Sequence, residues 1–123
     1  MPQVSIHADI GGKDAIIARQ ALSPVLIGVT DLDIVVPNLA AEVVSPNDIA
    51  DDLMEKTIEY FQAGVQLVWV LYPRWQLVHV YESLSNIRVL ARKDDLDGGA
   101  VLPGFRLPLS SLFQEKRNGP PTD

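Results

Sequence analysis

One glutamate stands out for its company. Glu42 is set in the run Leu39-Ala40-Ala41-Glu42-Val43-Val44, and some fourteen residues on a lone lysine, Lys56, follows in an amphipathic stretch. A charge held among apolar neighbours is tolerated only with a partner, a metal ion or a changed protonation state. Two readings stay open from the residues alone: Glu42 faces the interior and is compensated, or it points from one side of a strand into water, since successive strand residues face opposite sides.

Around this residue the acids gather. Asp31, Asp33, Glu42, Asp48, Asp51, Asp52, Glu55 and Glu59 share their segment with Lys56 as its one basic residue. Such a cluster concentrates negative potential and attracts divalent cations, although a solvated helix face is the commoner explanation of its helical members. The chain has no cysteine. Disulfides, thiolate chemistry and sulfur-ligated zinc are therefore excluded, and carboxylates with His7 and His79 remain as metal ligands, a set suited to hard cations.

The elements that must position these groups follow from pattern. At 123 residues, 47% hydrophobic and 21% charged, the chain is sized for one soluble α/β domain. With no leader sequence and no long apolar run, a cytoplasmic protein without a membrane segment is expected. A net charge of −6 weighs against loose binding to DNA, which draws on lysine and arginine. Residues 1–13 read as a lead without fixed structure, residues 14–114 as the domain and residues 115–123 as a polar tail.

Asp14-Ala15-Ile16-Ile17-Ala18 after Gly11-Gly12 has strand length, and residues 21–37, with Pro24, Gly28 and Pro37, read as a loop with one short edge strand. Residues 38–44 form a buried strand. Ser45 or Asn47 then caps a helix over about 47–63, with Ile49, Ala50, Leu53, Met54, Thr57, Ile58 and Phe61 as its apolar positions and Gly64 as its stop. Val65–Leu71 and Trp75–Tyr81 form a hairpin, Ile87–Ala91 adds a strand, and Lys93–Gly99 is a charged turn before the strand Ala100–Phe105. A single-turn helix over 108–113 docks Leu109, Leu112 and Phe113.

Three blocks carry a resemblance. The run from Leu39 to Val65, the strand Val65-Gln66-Leu67-Val68-Trp69-Val70-Leu71-Tyr72-Pro73, and the ending Leu96-Asp97-Gly98-Gly99-Ala100-Val101-Leu102-Pro103-Gly104-Phe105-Arg106-Leu107-Pro108-Leu109 resemble the bacterial Uma-two family of restriction-endonuclease-like proteins over about residues 14–113. The resemblance implies a restriction-endonuclease-like mixed central sheet with one main helix and a C-terminal strand meander. It also implies reduced members of the PD-(D/E)xK nuclease superfamily, in which two acids and a lysine cooperate. These map onto Asp14, Glu42 and Lys56. The main-chain carbonyl of Val43 is a further ligand by the same analogy.

The implied chemistry is hydrolysis of DNA: Asp14 and Glu42 hold a magnesium or manganese ion while the Lys56 ammonium steadies developing charge. Val44 occupies the strand position where the superfamily often keeps its lysine, and Lys56 on the helix substitutes. Lys13 stands where the family has proline, and Tyr72 where it usually has aspartate. Family members also carry a longer N-terminal part with a helix, an acid and further strands, so a shortened chain is expected here. A sheet face left uncovered by a missing helix would favour a homodimer.

Taken singly, each residue has a plainer account. Asp14 after two glycines suits a turn, Lys56 suits a surface pair with Asp52, and Tyr60 suits a half-buried ring with a wet hydroxyl. His79 suits a cross-strand surface position and His7 a loose end. Trp69 and Trp75 suit core or hairpin packing, with no basic residue paired to either. A catalytically degenerate domain that serves as an interaction or structural unit is accordingly the alternative to the nuclease.

Overall fold

The computed structural model describes the backbone of residues 4–8 and, in full, residues 38–113. The proposed strand near Asp14, Asp14 itself, the loop 21–37 and the polar tail lie outside the described residues.

A five-stranded mixed sheet runs in the order β1-β2-β3-β4-β5. Its strands are β1 (Val4–Ala8), β2 (Leu39–Val43), β3 (Leu67–Tyr72), β4 (Leu77–Ser83) and β5 (Asn86–Leu90). β1, β2 and β3 are parallel, whereas β3, β4 and β5 pair antiparallel. Parallel neighbours require a crossover, and the connection from β2 to β3 is the helix α1 (Ala50–Ala63). A separate two-stranded ribbon, β6 (Asp95–Gly98) with β7 (Leu102–Pro108), leads into the single turn α2 (Leu109–Leu112).

Strand β2 is buried along its whole length, as befits a strand with parallel neighbours on both sides and layers on both faces. Leu39, Ala41 and Val43 face one layer, where Trp69, Leu71, Val78, Val80, Leu96, Leu109, Leu112 and Phe113 form the larger core. Trp69 stacks on Phe105 of β7 with ring centroids 5.8 Å apart. Ala40 faces the other layer with Val65, Val68 and Val70, against Leu53, Tyr60 and Phe61 of α1. Glu42, two residues on from Ala40, points toward this helix-covered face.

Helix α1 ends as its sequence demands. Gly64 adopts φ 106°, its N–H bonds to the Phe61 carbonyl and the Val65 N–H to the Tyr60 carbonyl, which is a Schellman ending. Its start differs from expectation. Ile49 is the N-cap, with no side-chain cap bond, and Ser45 and Asp48 instead close the turn before it: the Ser45 N–H donates to Asp48 Oδ2 at 2.9 Å. The stripe that meets the sheet is Leu53, Thr57, Tyr60 and Phe61, of which Thr57 is buried and the others half-buried, so Ile49, Ala50 and Met54 are exposed in place of their predicted burial. Thr57 satisfies its hydroxyl on the Leu53 carbonyl at 2.9 Å.

Two further expectations are corrected. Val4–Ala8, part of the lead expected to lack fixed structure, is a strand paired along its length with β2. Asp95–Gly98, read as part of a turn, is a strand: Leu96 is fully buried, Asp95 pairs with Arg106 across the ribbon at 3.1 Å, and Asp97 accepts the Gly99 N–H. Among the described residues no helix is long and apolar enough to cross a membrane.

Candidate functional site

Glu42 resolves the first ambiguity by facing inward at 5% exposure. It is the fourth of the five buried residues of β2, between His7 of β1 and Val70 of β3 in the sheet register. Among the described residues, α1 supplies two partners for its charge. Lys56 brings its ammonium to 3.5 Å from Glu42 Oε2, and the Tyr60 hydroxyl donates to the same oxygen at 2.7 Å. Lys56 and Tyr60 are four residues apart, one turn along the same flank of the helix, so one helical surface supplies both partners.

These contacts differ in kind. The Tyr60 bond is short and charge-assisted, and carboxylate acceptors make such bonds the stronger ones. Lys56 is 39% exposed while its partner is 6% exposed, so water screens the ammonium but not the carboxylate. A carboxylate has about four lone-pair sites, which lets one oxygen serve two donors.

The site opens into a cleft of about 230 Å³ lined by Glu42, Val43, Asp48, Asp52, Leu53 and Lys56, among others. Val43 packs its side chain into the opposite core, so what it can offer this cleft is backbone. Asp48 and Asp52, read from sequence as members of a solvated helix face, border the same space. The donors here are oxygens, and the whole chain lacks cysteine, which fits a hard divalent cation. Among the described residues no three acidic or histidine side chains converge closely enough to enclose an ion.

Sequence reasoning brought Glu42, Val43 and Lys56 together, and the structure places all three at this cleft. Asp14 lies outside the described residues. The sequence suits Tyr60 to a half-buried ring with a wet hydroxyl, yet that hydroxyl donates to Glu42 at a shorter distance than Lys56 reaches; its spacing from Lys56 carries the signal. Trp69 is core, as expected. Trp75 is not without a cation: the Arg74 guanidinium lies 5.0 Å from its ring centroid, which corrects the reading that no basic residue pairs with it. His79 is half-buried with its ring 4.6 Å from that of Tyr72, and burial pushes its imidazole below the ordinary value. Burial, with Tyr81 nearby, pushes the Tyr72 phenol up.

A mixed sheet whose central parallel strand carries a buried acid toward a crossover helix is the restriction-endonuclease-like α/β arrangement. The crystal structure of a "putative nuclease" from Anabaena variabilis is similar to it with a TM-score of 0.59 at 18% identity, over 70% of this chain and 47% of that one. The chain thus spans about half the length of that protein. Over residues 14–110 the chain matches the Uma2 family, described as "Putative restriction endonuclease", and it belongs to that family. No curated protein matches it.

Proposed function

We propose that the protein is a metal-dependent endonuclease that hydrolyses DNA phosphodiester bonds at the cleft beside Glu42. In this reading Asp14 and Glu42 hold a magnesium or manganese ion, with the main-chain carbonyl of Val43 as a further ligand. When bound, such an ion polarises the phosphodiester and lowers the pKa of a water. Lys56 places positive charge beside the reacting phosphate and stabilises the negative charge that develops there. Tyr60 holds the carboxylate of Glu42 in one orientation.

The observation that carries the reading is a buried glutamate on a central strand with a lysine 3.5 Å away from a neighbouring helix. An acid kept in that setting when an apolar residue would pack at lower cost implies use. The net charge of −6 favours a second reading, in which the domain keeps the family core but serves as an interaction or structural unit, because weak phosphate attraction disfavours a polyanionic substrate. A plasmid-nicking assay with magnesium or manganese separates the two. Nicking by the wild type that is lost in Glu42→Ala and Lys56→Ala is the expected result, and equal background signal from all three rejects the enzyme.

A further inference from the structure

The hairpin between β3 and β4 carries a feature that the proposed hydrolysis does not use. Its tip, Pro73-Arg74-Trp75-Gln76, is tightly built: the Trp75 N–H bonds to the Tyr72 carbonyl and the Gln76 N–H to the Pro73 carbonyl, each at 3.2 Å. Gln76 takes a left-handed φ of 55°, and its side-chain oxygen accepts Arg92 Nη1 at 2.8 Å. The tip therefore presents its two outermost side chains from a braced backbone. Trp75 is 66% exposed, the most exposed of the large apolar side chains among the described residues, while Arg74 lies over its ring.

This pair borders a second cleft of about 280 Å³, lined by Val44, Asp48, Leu53, Tyr72, Arg74 and Trp75, among others. Asp48 and Leu53 also line the cleft of Glu42 and Lys56. The two clefts thus share a border at the start of α1.

We propose that Arg74 and Trp75 form a platform for single-stranded DNA, with an unpaired base stacked on the Trp75 ring and its phosphate paired with Arg74, which feeds the strand to Glu42. This deepens the nuclease reading and rests on it for what happens at the second cleft. An indole offers a face to any base, and guanidinium N–H groups held over an aromatic ring keep their fork for a phosphate. Base faces are available in single strands and hidden within duplexes. A chain with net charge −6 is poorly suited to follow a duplex backbone, so stacking must supply what electrostatics cannot.

The two tryptophans make the test direct, because Trp69 is fully buried and Trp75 alone is open to quenching by a bound base. Titration of the full-length protein with a ten-residue oligothymidylate in EDTA, which prevents turnover, is expected to quench tryptophan emission. Anisotropy of the labelled strand is expected to show binding weakened about 5- to 150-fold by Trp75→Ala. Arg74→Ala is expected to weaken it too and to lower the slope of log affinity against log salt by about 0.7. Absence of quenching, unchanged affinity in Trp75→Ala, or preference for a blunt duplex overturns the platform. Quenching without magnesium- or manganese-dependent cleavage of the oligothymidylate would leave the platform and remove the nuclease, whereas cleavage of that strand unaffected by Trp75→Ala would do the reverse.

Discussion

Replacing Tyr60 with phenylalanine removes one hydroxyl and little else, and the geometry says what that hydroxyl is worth. It donates to Glu42 Oε2 at 2.7 Å, and the acceptor is almost fully buried. A hydrogen bond to a charged group contributes about 1.5–3 kcal/mol net, and here the loss takes one donor from a desolvated carboxylate that Lys56 also contacts. Lys56 is half exposed and 3.5 Å away, a screened contact of the kind that contributes about 0–1 kcal/mol. Tyr60→Phe is therefore expected to destabilise the fold more than Lys56→Met, by about 1.5–3 kcal/mol against about 1 or less. In a domain of this size that lowers the melting temperature on the order of 10 °C. Urea unfolding followed by circular dichroism measures both changes. Because the two donors share one oxygen, the double variant should be non-additive, with a coupling of about 0.5 kcal/mol or more. A Tyr60→Phe protein within about 0.5 kcal/mol of wild type, or a Lys56→Met protein less stable than it, would refute the ranking of the contacts.

Two other predictions concern the scaffold. Gly98 ends β6 where an added Cβ would collide with the Leu102 side chain and carbonyl, so Gly98→Ala is expected to cost about 1–3 kcal/mol in urea unfolding; an unchanged midpoint contradicts that packing. His79 is held by burial below its ordinary value of 6.5, so the folded protein binds its proton less readily than the unfolded chain. Its contribution to stability is full above pH 6.5 and declines as the pH falls from there toward the folded-state value. His79→Gln should flatten that part of a stability profile, and an identical slope in wild type and variant shows that another group is responsible.

The elements with strong local signals were readable from residues alone. Leu39–Val43, the helix ended by Gly64, the hairpin around Pro73 and the docking turn at Leu109 each announce themselves through period, turn chemistry or a short apolar run. What escaped depends on partners distant in the chain. Val4–Ala8 alternates apolar and polar residues, yet a five-residue segment becomes a strand only through β2, more than thirty positions away. Asp95–Gly98 has a turn's composition, and one buried leucine with a cross-strand arginine overrides it. Ile49 and Met54 fit the helical period, but contact with the sheet sets the rotation of α1 and leaves them in water. At the site, Glu42 and Lys56 were legible as types, whereas their joint dependence on Tyr60 required knowing which flank of the helix meets the strand.

The three groups at the cleft all belong to one unbroken stretch, β2 through α1, and Tyr60 lies only eighteen positions from Glu42. A centre made this way takes its shape from short-range chain closure, which is entropically cheap and early in folding. The ribbon packs on the opposite face of the sheet, away from acid, ammonium and phenol. Variation in this protein is thus channelled: substitutions in the ribbon tune how long the scaffold lasts, while those in β2 and α1 decide whether acid, ammonium and phenol still meet.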